Sequence, residues 1–173
     1  MRHHKIVYRI VCSLVIVCAA IILFGFLAGC DEDDGPAEGE EFGEISGTIT
    51  FAGTWPSTGD VQVSIWSRLS EDGQPFMAPD GKTEPLARPE GNTIAYKIQE
   101  LSKGTYLAVT LGWRDPNNPM AGGKVLGVYW AQADSVGVDS EGLIAVTPTP
   151  IEISDDKLVW SNIDIKANLD IVP

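Results

Sequence analysis

Hydrophobic positions along the chain fall into two regimes. Between residues 10 and 28 almost every position is apolar, with Ser13 the one interruption. From Ile45 onward apolar residues recur at every second position in short runs separated by Gly, Pro and Asp, the period of half-buried strands rather than of helices. Strands are expected at 45–52, 60–68, 92–99, 105–113, 124–131, 149–154 and 158–171. In the first, Ile45, Gly47, Ile49 and Phe51 share a face. Val61, Val63 and Ile65 do so in the second, Ile94, Tyr96 and Ile98 in the third, and Leu107, Val109, Leu111 and Trp113 in the fourth. The fifth is apolar on both faces, which suggests a central strand. The last alternates Ile163, Ile165, Ala167, Leu169 and Ile171 with Asp164, Lys166, Asn168 and Asp170, one buried face and one wet face. Seven strands without a helix-period segment imply an all-β fold, an antiparallel seven-stranded β-sandwich. A closed eight-stranded barrel is the alternative.

The first regime is an address. Arg2, Lys5 and Arg9 precede the apolar run with no acid among them, the arrangement of a secretory signal. By length alone the run also fits an uncleaved membrane anchor. Its ending, Leu27-Ala28-Gly29-Cys30, resembles the bacterial lipobox, in which a signal peptidase cuts before a cysteine whose thiol carries a diacylglyceryl group. The resemblance implies a signal peptide at 1–29 and acyl chains on Cys30. Stable anchoring needs more than one chain, and a mature lipoprotein has them. The expected location is the cell envelope outside the cytoplasm. Asp31 resembles the inner-membrane retention signal of enteric lipoproteins, and the choice between the inner membrane, the outer membrane and the cell surface stays open.

Cleavage changes the chemistry available. The 144 residues from Cys30 onward suffice for one domain with a core, and carry 9 Lys and Arg against 24 Asp and Glu, a net of −15. Nucleic acid is a poor partner for that charge. Eight of the acids lie at 31–44, a stretch poor in apolar residues that reads as a flexible acidic tether, leaving the domain at 45–173 with −7. His3, His4, Cys12 and Cys18 all lie in the signal, and Cys30 is consumed by lipidation. The exported domain then has no disulfide, no Ser-His-Asp or Cys-His arrangement, and no His or Cys zinc site. No cofactor and no catalytic residue is expected. Most hydrolase mechanisms fall at this step; paired carboxylates of the glycosidase kind remain open, although sixteen scattered acids offer no preferred pair.

The run Leu101-Ser102-Lys103-Gly104-Thr105-Tyr106, followed by apolar residues to Leu111, resembles the turn and strand of prealbumin-like sandwiches, a group that includes carboxypeptidase regulatory-like domains and the B-type repeats of collagen adhesins. Ile45-Ser46-Gly47-Thr48-Ile49 is similar to their first strand. The resemblance implies a sandwich in which Tyr106 seals a sheet edge. The chain departs from it in having no lysine on the first strand, so an adhesin-type Lys-Asn crosslink is not implied, and in its 23-residue connection at 69–91.

Three features could bear function. Calcium needs only oxygen ligands, and Asp115, Asn117, Asp134 and Asp139 lie in loops rich in them, although Asp, Asn and Gly are also ordinary turn residues. Trp113 and Trp130 are in phase with apolar faces and are expected in the core. Trp66 and Trp160 are out of phase with their neighbours and Trp55 precedes Pro56 in the first turn, so these three are candidates for a binding surface. The 69–91 connection, with four prolines, is long for a compact domain, and Phe76 and Met77 at its centre are expected to fold back over a sheet edge rather than meet a partner. The reading is a membrane-anchored envelope lipoprotein whose sandwich is a non-enzymatic module for protein or glycan, met through loops at one end. A carboxylate-dependent glycan-active enzyme and a calcium-stabilised adhesion domain are the alternatives.

Overall fold

The computed structural model describes residues 41–118, 122–132 and 135–172. The expected signal, Cys30, the expected tether as far as Glu40, and Asp134 lie outside them, whereas Gly43 and Glu44, expected in the tether, open the first strand. The described residues are all-β, with ten strands rather than seven: β1 (Gly43–Ala52), β2 (Asp60–Trp66), β3 (Gly81–Lys82), β4 (Thr93–Leu101), β5 (Gly104–Tyr106), β6 (Ala108–Arg114), β7 (Gly123–Val128), β8 (Ile151–Ile153), β9 (Val159–Trp160) and β10 (Ile165–Asn168). One sheet runs β10-β1-β4, with β9 also on β1; a second runs β3-β2-β6-β7; β5 and β8 form a small third. Among the described residues no helix is long and apolar enough to cross a membrane.

Alternation becomes burial as the period requires. Ile45, Ile49 and Phe51 from β1, Val61, Val63 and Ile65 from β2, Tyr96 and Ile98 from β4, and Val109, Leu111 and Trp113 from β6 join one hydrophobic core. Ile163, Ile165, Ala167 and Leu169 complete it, whereas Ile94 and Ile171 are only partly buried.

The differences lie where the chain changes partners. The expected strand at 105–113 breaks at Leu107, because β5 pairs with β8 while β6 pairs with β2. At that step Tyr106 and Ala108 turn inward and Leu107 is left exposed. The expected long strand at 158–171 is three pieces: β9, β10 and a 3-10 turn at Leu169–Ile171. Both strands run parallel to β1, not antiparallel. Between them Asn162 takes φ 62°, Ile163 N–H donates to the Ser46 carbonyl and the Asp164 carboxylate accepts from Thr48 N–H. A side chain thus stands in for one rung of the ladder.

β7 is an edge strand, not a central one. Its apolar faces are explained otherwise. The chain at 136–142 lies along its free edge, with Val128 N–H donating to the Val136 carbonyl and Val125 N–H to that of Gly142. On its other side a Cβ at Gly127 would overlap the Lys166 carbonyl of β10.

The 69–91 connection is not structureless. Asp80, Thr83 and Leu86 donate their N–H groups to the carbonyls of Ile65, Val63 and Val61, so residues 80–86 follow the free edge of β2 and supply β3 on the way. The fold-back expected of Phe76 and Met77 is thus made by other residues. Phe76 is 53% and Met77 69% exposed, the latter at φ 67°.

Candidate functional site

β2 presents Asp60, Gln62, Ser64 and Trp66 on the face opposite its buried valines, and β6 presents Thr110, Gly112 and Arg114 beside them. This outward face is the floor of a groove of about 870 Å³, within the range of small-ligand sites. Trp66 donates its indole N–H to Thr110 Oγ1 at 2.9 Å, and Thr110 is only 2% exposed although it faces outward. The indole bond fixes the ring while leaving it half-exposed.

The walls come from two loops. Residues 67–80 leave the end of β2 and return to it, pinned at the neck where the Asp80 carboxylate accepts from both Ser67 N–H and Ser67 Oγ. Closed at its ends in this way, the excursion is an Ω-loop. At its far side the Gln74 amide makes two bonds to one residue: Nε2 donates to the Ile144 carbonyl at 3.0 Å, and Oε1 accepts from Ile144 N–H at 2.8 Å. Ile144 belongs to the loop that flanks β7, so Gln74 ties the β2 side of the sheet to the β7 side. Pro75, Met77, Ala78 and Pro79 line one wall, and Gly142 and Leu143 the other.

The second loop is built on Asp139. Its Oδ1 accepts from the N–H groups of Glu141 and Leu143, both at 2.9 Å. Those bonds, that from Leu143 foremost, hold its carboxyl below the usual carboxylate range. Lys124, on β7, donates from Nζ to the Glu141 carbonyl at 2.6 Å.

The groove acids are Asp60 and Asp80. Asp60 opens β2, whereas Asp80 is bonded to Ser67, one residue past its end. At about 3.3 Å of rise per strand residue they stand roughly 20 Å apart. A glycosidase pair needs about 5 to 10 Å.

The other sequence candidates are dispersed. Trp55 packs edge-to-face on Phe51, centroids 5.3 Å apart, in the turn after β1. Trp160, on β9, donates its indole N–H to the Glu152 carbonyl and carries the Lys157 ammonium 3.1 Å from its ring centroid. Of the three tryptophans offered as a surface, only Trp66 lines the groove. Trp113 is buried, as expected. Trp130 is only half-buried, past the end of β7, with its N–H on the Ser135 carbonyl.

Asp115 Oδ1 accepts from Asn117 N–H at 2.9 Å, an Asx turn. Among the described residues no three His, Cys, Asp or Glu side chains come together as a metal-holding group. Asp134 and Cys30 lie outside those residues.

Sequence reasoning misses Gln62, Gln74, Thr110, Arg114, Lys124 and Leu143. Two signals pointed toward the place: Trp66 out of phase with its strand, and a proline-rich connection too long for a turn. In comparisons with known proteins, no family model, no curated protein and no solved structure matches the chain.

Proposed function

We propose that the protein is a bacterial envelope lipoprotein, anchored by acyl chains on Cys30 and held off the membrane by its acidic tether. Its domain is a β-sandwich of the prealbumin-like kind, acting as a non-enzymatic binding module for protein or glycan. The observation that carries the binding role is the groove on the β2-β6-β7 face, with a polar floor, an aromatic side chain and two apolar walls braced by Gln74. The groove is on a sheet face beneath the loops, so contact through the ends of the sandwich is not needed. The roughly 20 Å between Asp60 and Asp80 favours binding over carboxylate catalysis.

The anchor is tested by growing cells with an alkyne-bearing fatty acid. Wild-type protein is expected to take up the label and pellet with membranes, and Cys30→Ser to do neither; equal labelling of the two removes the lipoprotein assignment.

A further inference from the structure

The groove differs from the rest of the domain in charge. Residues 45–173 include nine basic and sixteen acidic residues. Three of the nine bases, Lys82, Arg114 and Lys124, line the groove, against two of the sixteen acids. A third of the positive charge is gathered with an eighth of the negative. Both oxygens of Asp80 already accept from Ser67. The ion pairs among the described residues, Lys97 with Glu44 and Lys103 with Asp155, lie elsewhere. Lys124 is bonded to the neutral Glu141 carbonyl and also feels the Asp139 carboxylate, so its charge is partly offset, whereas Lys82 and Arg114 are exposed.

The backbone decides between peptide and sugar. An extended peptide is most readily held by adding to a free strand edge. The floor is the face of strands already paired with one another, and both outer edges are covered, β2 by residues 80–86 and β7 by residues 136–142. No ladder is on offer there. What remains is a held indole ring, neutral hydrogen-bonding side chains and positive charge, two of whose three bearers are exposed. Those match the apolar ring faces, hydroxyls and carboxylates of an acidic sugar.

We propose that this groove binds a glycan carrying carboxylates, a uronate-containing chain, with Trp66 as the stacking platform, Gln62 and Ser64 meeting hydroxyls, and Lys82, Arg114 and Lys124 pairing with the acid groups. The proposal rests on the binding-module reading and names its ligand class. The test is calorimetry on the full-length protein in detergent, using oligogalacturonate and oligomannuronate as acidic probes, a neutral galactan oligomer of equal length, and a proline-rich peptide. The acidic oligomers are expected to bind at least tenfold more tightly than the neutral one, and more weakly as salt rises. Lys82→Gln and Arg114→Gln, both exposed, are each expected to weaken binding roughly tenfold with an unchanged thermal midpoint. Trp66→Phe, which keeps a ring, is expected to retain more affinity than Trp66→Ala.

Equal affinity for acidic and neutral oligomers, or indifference to both charge variants, overturns the proposal. Binding of the peptide alone, lost in Trp66→Ala, overturns the glycan assignment and leaves the binding module standing. No binding of any probe overturns the glycan assignment, and indifference of peptide binding to Trp66→Ala removes the groove from both readings.

Discussion

Two tyrosines show how much of this fold rests on single hydroxyls. Tyr106 is buried, and its OH donates to the Ser102 carbonyl four residues upstream at 2.8 Å, the geometry of a tyrosine corner. Ser102 is exposed, so water can replace the donor, and Tyr106→Phe is expected to cost about 1 kcal/mol in a urea titration. Tyr96 donates to the buried Ile163 carbonyl at 2.6 Å. Removing that donor strands a carbonyl no solvent reaches, so Tyr96→Phe is expected to cost more, about 1–3 kcal/mol. Tyr96 also sets a pH limit. Burial, then the negative charge of Asp164, raises its phenol above the ordinary value. The native state therefore favours the neutral form. That contribution is complete below the unfolded phenol value of about 10 and is lost as pH rises through the range above it. The urea midpoint is expected to fall between pH 9 and 11, and to fall less steeply in Tyr96→Phe.

Elements meet here through close backbone approaches. At Gly127 of β7 an added Cβ would overlap the Lys166 carbonyl and touch Ile165, and at Gly47 of β1 it would overlap the Ile163 carbonyl. Backbone cannot step aside as a flexible side chain can, so Gly127→Ala and Gly47→Ala are each expected to destabilise by about 2 kcal/mol or more, read as a lowered thermal midpoint. The Ω-loop depends on a different device. Gln74→Ala removes both bonds to Ile144 and leaves its N–H, in a residue 9% exposed, without a partner. The expected loss is about 1–3 kcal/mol of local stability, visible as faster amide exchange at Ile144 with the β2 and β6 amides unchanged. Exchange spread evenly over the sheet would mean that Gln74 supports the whole fold rather than the loop.

At the scale of the molecule, the balance of charge dominates. Residues 45–173 carry a net charge of −7, and residues 31–44 add eight acids. Self-repulsion of that size opposes the compact state and is screened by salt. Moderate sodium chloride is expected to raise the thermal midpoint and to weaken the acidic-glycan binding proposed for the groove. A midpoint that falls with salt would show that specific ion pairs, such as Lys97 with Glu44, outweigh the repulsion. The three cysteines lie at positions 12, 18 and 30, so no described part of the domain is cross-linked, and reductant is expected to leave the midpoint unchanged.

Period-two alternation was enough to place most strands and most of the core, because a side chain's face is set by its position in the strand and burial follows the apolar face. It also located the candidate region in outline: Trp66 pointed away from the core, and the 69–91 connection was too long to be a simple turn. It did not reveal that Leu107 and Asn162 break their strands, that the last strands run parallel to β1, or that β7 is an edge. Those depend on which strand lies beside which, and alternation is the same whatever the neighbour. The groove depends on the same non-local facts. Gln74 meets Ile144 across 70 positions, and Lys82, Arg114 and Lys124 share one surface only because β3, β6 and β7 lie in one sheet. Local pattern determined most of the residues that are buried; tertiary pairing decided the exceptions, such as Leu107, and which of the remainder would face one another.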